Sequence, residues 1–237
     1  MNQSIKNRLN NLYHWMMDQY GPQGWWPLLD INKCDQHGTN PTFTGVLTGY
    51  HIKNYTYPKT ENQRFEICTG AILTQNTAWT NVEHALLNLY NADILSPEKI
   101  LTASENKLKK LIQPAGYFNR KTIYLKNMAH FFITLNGKTP SREDILTCKG
   151  VGNETADSIL LYAYREPEFI IDTYTKRILT HLKLCSANAD YLTLKEMFQN
   201  SFKPDIVLYQ EYHALLVELA KRHFSKKPYT FKIDAIN

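Results

Sequence analysis

A chain of 237 residues can bury one or two substantial cores, and 27 Lys and Arg against 22 Asp and Glu leave a formal net charge of +5 that suits a polyanionic partner. No apolar stretch reaches the roughly 18 residues of a membrane span and no secretory apolar core is present, so the expectation is a cytoplasmic protein with no membrane partner. The four cysteines, Cys34, Cys68, Cys148 and Cys185, lack C-x-x-C spacing, which argues against a zinc site or a disulfide framework and reads as free thiols.

Apolar residues at three-to-four spacing predict an opening helix over Ile5–Tyr20. Gly24-Trp25-Trp26-Pro27 follows, and two adjacent indoles cannot both face one side of an element, so at least one is expected to line a surface or cleft. From Asp30 to Gln63 the periodicity fails and Gly, Thr, Asn, Pro and Tyr dominate; the alternation in Thr42–Thr48 allows one small β-hairpin at about 42–57. A buried helix is expected over Phe65–Leu73 and an amphipathic one over Val82–Tyr90. Further helices are expected over Lys107–Gln113, Arg120–Leu135, Ser141–Thr147, Glu154–Tyr164, Thr173–Leu182, Leu192–Phe202 and Asp205–His223. About ten helices and very little strand make an all-α fold. No solenoid period or low-complexity tract occurs.

Two segments carry chemistry. Cys148-Lys149-Gly150-Val151-Gly152 is a tight hairpin between two helices, in which each glycine frees the backbone for positive φ and exposes amide N–H groups at the start of the next helix. Such a turn seats a phosphate, and two helices around it grip a nucleic-acid backbone without reading bases. A plain helix corner has the same G-x-G pattern. The second segment, Phe169-Ile170-Ile171-Asp172, delivers a carboxylate from a buried run to the N-terminus of the next helix, where free amides favour its ionised form.

With these two in register, the sequence resembles the endonuclease III superfamily of helix-hairpin-helix DNA glycosylases. Arg64 to Thr77 is similar to its helix ending in an L-[ST]-Q-x-T turn, Gly116 to Lys121 to its G-[YL]-[YF]-x-x-K segment, and the hairpin and D-T-x-x-x-R stretch follow in order. The resemblance implies two helical lobes with a DNA cleft between them: 1–78 with 186–237, and 79–185 carrying the helix-hairpin-helix at 141–164. It implies Asp172 as the catalytic carboxylate. Lys149, Gly150, Val151, Gly152 and Lys121 become the contacts to the DNA backbone, and Asn76, or less favourably Gln75, the wedge that replaces an everted base. Arg120, Lys176 and Arg177 lie beside the motifs and join the basic groups available to phosphates.

Two departures from the superfamily pattern narrow the reading. Glu154 stands eighteen residues before the aspartate, where strand-cutting members carry the lysine that forms a Schiff base; a carboxylate cannot form that imine, so a monofunctional glycosylase using water is expected. His213 to Lys227 resembles the helix entering the family's iron-sulfur loop, yet no cysteine follows, so the cluster is expected to be absent.

Among branches of the superfamily, the W-W-P element, the L-T-Q-N-T turn with Trp79 beyond it and the cluster-less end resemble the 3-methyladenine glycosylases. That implies Trp25, Trp26, Pro27 and Trp79 as walls around an extruded alkylated base, whose positive charge stacks favourably on indoles. The implied partner is double-stranded DNA carrying a damaged base, met by a monomer. A same-fold enzyme for mispaired thymine or adenine or for an oxidised purine, with or without lyase activity, and a non-catalytic DNA-binding helix-hairpin-helix protein are the alternatives.

Overall fold

The computed structural model describes residues 3–29, 49–229 and 231–232. Eleven α-helices occur among them: α1 (Gln3–Tyr20), α2 (Glu61–Leu73), α3 (Trp79–Asn91), α4 (Pro97–Thr102), α5 (Glu105–Leu111), α6 (Phe118–Leu135), α7 (Arg142–Thr147), α8 (Asn153–Ser158), α9 (Thr173–His181), α10 (Tyr191–Gln199) and α11 (Ile206–His223). A 3-10 turn at Gln113–Ala115 precedes α6, and a π-helical segment at Ile159–Tyr164 extends α8. The all-α expectation holds. Residues 49–57 form turns without strand, and the rest of the expected β-hairpin lies outside the described residues. In place of a hairpin, two backbone bonds join 49–51 to the tryptophan segment, Leu28 N–H to Gly49 O at 3.0 Å and His51 N–H to Gly24 O at 3.1 Å.

Helix starts follow capping chemistry. Thr60, Ser96, Ser104, Ser141, Asp172, Asp190 and Asp205 each accept a bond from the third residue of the helix they open, satisfying an amide with no partner inside that helix. Ser141 and Asp144 complete a reciprocal capping box. α4 was missed by periodicity because six residues make under two turns; its signal was the cap Ser96 followed by Pro97 at the first helical position. The reading of Glu154–Tyr164 as one α-helix is also corrected, because its second half widens to π geometry.

α2 is buried on every side from Phe65 to Leu73, so it forms the axis on which other helices pack. Phe65 meets Phe132 of α6 edge-on, with ring centroids 5.2 Å apart. At the other end, Phe169 stacks flat on Phe198 of α10 at 3.9 Å, and both meet Tyr212 of α11 edge-on. The Tyr212 hydroxyl donates to Leu9 O at 2.7 Å, tying α1 to α11. Burying aromatic side chains of this size contributes about 1.5 to 3 kcal/mol each, enough to fix the Phe169–Ile171 run and thus the position of the residue that follows it.

Candidate active site

The hairpin between α7 and α8 is built around one glycine. Gly150 has φ of +104°, and a Cβ placed on it would lie 2.3 Å from the Tyr124 ring of α6, so only glycine fits here. Gly152 corrects the sequence expectation. Its φ of −104° is ordinary extended backbone, and a Cβ on it would meet nothing within 4 Å, so it faces open groove. Val151 N–H closes the turn on Cys148 O at 3.0 Å, Asn127 Nδ2 donates to Lys149 O at 3.0 Å, and the Lys149 side chain is exposed.

Asp172 enters from the buried Phe169–Ile171 run and caps α9, with Oδ1 accepting Thr175 N–H at 2.6 Å. Its side chain is 13% exposed, and Oδ2 lies 3.9 Å from Nε2 of His213 on α11. His213 Nδ1 is 2.9 Å from the Tyr162 hydroxyl of the π segment. Burial lowers the His213 pKa, against the pull of the Asp172 charge, so a neutral imidazole backs the carboxylate. The open side of Asp172 borders a cavity of about 890 Å³ lined also by Thr74–Ala78, Tyr124, Gly150–Thr155 and Tyr191. A second cavity of about 690 Å³ runs from Asp172 along α9 toward Lys227 and Tyr229. The carboxylate therefore sits at the junction of two grooves, one of them floored by the hairpin.

Gln75 and Asn76 separate cleanly. Gln75 Nε2 donates to Gly150 O at 2.9 Å and Thr155 Oγ1 at 3.1 Å, which commits that side chain to holding the hairpin. Asn76, at φ +52°, is exposed on the same groove.

Lys121 is a correction. It is 2% exposed, and its ammonium donates to Leu73 O at 2.7 Å, Thr77 Oγ1 at 2.7 Å and Ala115 O at 2.9 Å, which ties the C-terminus of α2 to the turn before α6. Burial pulls its pKa down to about 8, and no phosphate can reach it. Lys176 and Arg177 are likewise engaged, donating to Ala189 O at 2.7 Å and Phe224 O at 2.8 Å, whereas Arg120 is exposed.

The tryptophans also differ from expectation. They sit in an irregular segment, and they do not face the groove at Asp172. Trp25, Trp26 and Trp79 pack ring against ring at 4.8 to 5.6 Å, with Pro27 buried behind them, and the adjoining cavity holds only about 10 Å³. The cluster connects to the carboxylate indirectly: Trp26 lies 5.4 Å from the Tyr162 ring, whose hydroxyl meets His213.

Glu154 borders both cavities beside Asp172. It stays reachable by solvent on the groove side, but the protein around it, and then the Asp172 charge, push its carboxyl up to about 7. Because the pKa is raised, the side chain is neutral in acid and gains its charge as pH rises through about 7, adding a second anion to the groove. Affinity for duplex DNA is expected to fall between pH 6 and 8 at fixed ionic strength, and Glu154→Gln to flatten that slope; equal slopes in the two proteins would remove Glu154 from the groove.

Sequence reading missed Tyr162, Tyr191 and His213. His213 and Tyr162 are separated by 51 positions and meet only through tertiary packing, so no local spacing pointed to them. Cys68 and Cys148 are buried, Cys185 is half-buried, Cys34 lies outside the described residues, and no group of three or more metal-ligating side chains occurs among the described residues. No described helix is long and apolar enough to cross a membrane.

Comparison with known proteins agrees with this geometry. Residues 69–204 match the family described as HhH-GPD superfamily base excision DNA repair protein. A protein of Methanocaldococcus jannaschii named as a candidate DNA repair glycosylase is 38% identical over 91% of this chain and 88% of its own length. An endonuclease III of Sulfolobus acidocaldarius is 31% identical over 75% of this chain and 81% of its own. Among solved structures, the H. pylori 3-methyladenine DNA glycosylase bound to 1,N6-ethenoadenine is 28% identical with a TM-score of 0.58, covering 69% of this chain and 89% of that one. A non-covalent endonuclease III–DNA complex, at 18% identity and a TM-score of 0.63, shares the fold. With the hairpin and the carboxylate on one groove and the family match spanning both, this chain belongs to the HhH-GPD superfamily of base-excision DNA repair glycosylases.

Proposed function

We propose that the protein removes an alkylated purine of the 3-methyladenine kind from duplex DNA by hydrolysis, without cutting the strand. The observation that carries the choice of base is the chemistry buried in the tryptophan cluster. Glu83, 1% exposed, takes one bond from Trp79 Nε1 at 3.0 Å, while its Oε2 and the indole nitrogens of Trp25 and Trp26 have no hydrogen-bond partner among the described residues. Orphaned buried polar atoms cost about 1 to 3 kcal/mol each, so a site that keeps three of them beside stacked indoles suits a ligand able to use them. A cationic purine offers N–H donors to the Glu83 oxygen, ring-nitrogen lone pairs to an indole N–H and a positive ring to the indole faces. The likeness to a 3-methyladenine glycosylase supports the same reading. Entry of a base requires the half-buried Trp25 and Trp79 to part, since the rings are closed on one another.

In this proposal the duplex lies on the Gly150–Gly152 hairpin with Lys149 on the backbone, between lobes formed by 1–78 with 186–237 and by 79–185. Asn76 fills the gap left by the extruded nucleotide. Asp172, its Oδ1 held by the α9 amide, presents Oδ2 to the anomeric carbon, stabilises the oxocarbenium-like sugar and orients or deprotonates the attacking water. A cationic leaving base needs little protonation, so one carboxylate suffices. The protein acts as a monomer in the compartment that holds the DNA, with no iron-sulfur cluster, its cysteines serving as ordinary thiols.

The test is mass analysis of bases released from methylated genomic DNA. Free 3-methyladenine or 7-methylpurine is the expected product, whereas release of thymine, adenine or an oxidised base, from duplexes carrying those lesions and only from them, would reassign the substrate. Borohydride trapping on a damaged duplex is expected to give no efficient covalent adduct, because Glu154 cannot form an imine and Lys121 is locked behind α2; an adduct in high yield would show a lyase.

A further inference from the structure

Beneath the groove lies a buried charged cluster that the proposed chemistry does not use. Asp157 of α8 is fully buried and takes four bonds: from Arg142 Nε at 2.7 Å and Nη2 at 3.2 Å, from Lys195 Nζ at 2.7 Å and from the Tyr191 hydroxyl at 2.7 Å. Lys195 also pairs with Glu168 at 2.5 Å, so two acids balance two bases. Arg142 reaches further, to Asn153 Oδ1 at 2.8 Å, in the first turn after the hairpin. On the other side, the Tyr191 oxygen accepts the Ile171 N–H at 3.4 Å, one residue before Asp172. Burial and the Asp157 charge hold the Tyr191 phenol well above its usual range. Its proton therefore stays on and points to Asp157, leaving its lone pairs for the Ile171 amide.

A buried ion cluster of this kind is a poor source of net stability, because apolar packing of equal volume does as well. What apolar packing cannot do is fix direction. Here one chain of directional bonds runs from the hairpin turn through Arg142 and Asp157 to Tyr191 and the backbone that presents the carboxylate. Tyr191 borders both cavities that meet at Asp172. We propose that Tyr191 is a positioning residue that, anchored on Asp157, sets the Ile171–Asp172 backbone relative to the DNA-gripping hairpin, so that seating of the strand and placement of the carboxylate are a single event. The catalytic consequence rests on the reading of Asp172 given above; the structural one does not.

Two measurements on Tyr191→Phe test it, the ring being kept and only the hydroxyl removed. Amide hydrogen exchange at Ile171 is expected to quicken by about tenfold or more, with the α2 and α11 core amides unchanged. In single-turnover assays on whichever lesion the wild-type protein cleaves, the rate is expected to fall by about tenfold while affinity for undamaged duplex stays within twofold. Asp157→Asn, which keeps volume but weakens the anchor, should move both readouts the same way. Wild-type exchange at Ile171 overturns the proposal whatever the substrate proves to be. Accelerated exchange with an unchanged rate, or with rate and affinity falling together, also overturns it, since either outcome reduces the hydroxyl to a structural part. A wild-type protein that releases no base, but whose Tyr191→Phe variant shows the faster Ile171 exchange, sinks the assigned chemistry and leaves the anchoring intact.

Discussion

Asp172→Asn is expected to abolish base release, lowering the single-turnover rate by about a thousandfold or more, or roughly 4 kcal/mol of transition-state stabilisation at about 1.4 kcal/mol per factor of ten. The substitution isolates the charge because asparagine caps a helix about as well as aspartate does, so the bond to Thr175 N–H and the start of α9 survive. Thermal stability should change little. DNA affinity should hold or rise slightly, because one negative charge leaves the groove proposed to receive phosphates. The geometry gives no neighbour the same place: His213 is buried and held neutral, its Nε2 3.9 Å behind the carboxylate, and Glu154 stands in the first turn of α8 rather than at the cap of α9. Base release by Asp172→Asn at more than a tenth of the wild-type rate would remove Asp172 from the chemistry and with it the mechanism. Loss of activity accompanied by unfolding would be exposed by the melting curve, and Asp172→Ser, which also caps, then provides the check.

How far the sequence foretold this arrangement differs by residue and for physical reasons. Helices with long apolar stripes, such as α1, α6 and α11, were readable because burying one face imposes the period. The hairpin was readable because a positive φ against an aromatic ring admits only glycine, and the Asp172 cap because a carboxylate after a β-branched run and before a helix has one economical place to go. Lys121 was misread. From sequence a lysine beside a motif is a phosphate contact, and nothing in its neighbours reveals that three oxygens from the ends of two other elements converge on it. The tryptophans do gather in one cluster, but sequence did not reveal that their rings close on one another, since exposure of a ring depends on what packs over it and not on its own segment. Tyr191, Asp157 and His213 could not be found at all, because their partners are supplied by other helices at separations from 15 to 51 residues.

Within the hairpin the two glycines are expected to answer substitution in opposite ways. Gly150→Ala puts a methyl 2.3 Å from the Tyr124 ring on a backbone at φ +104°, so both the ring and the turn must move. Strain of about 1 to 3 kcal/mol from the backbone and a similar sum from overpacking predict a loss of about 2 to 6 kcal/mol, or roughly 5 to 25 °C in Tm for a chain of this size. The Gln75 bond to Gly150 O shifts with the turn, so affinity for duplex DNA should fall by at least tenfold. Gly152→Ala meets nothing within 4 Å and asks for no unusual φ, so its Tm should match the wild type. Its new methyl nevertheless stands on the groove face proposed to meet a phosphate at the backbone amides, and on that proposal DNA affinity should fall by about tenfold, or 1.4 kcal/mol. Tyr124→Ala in the Gly150→Ala background removes the clash but not the φ penalty, and should restore only part of the lost stability. If Gly152→Ala bound DNA as the wild type does, the strand would not cross the hairpin at that glycine. The groove would then have to be entered from the Lys227 side, along α9, where the second cavity reaches Asp172 without touching the turn.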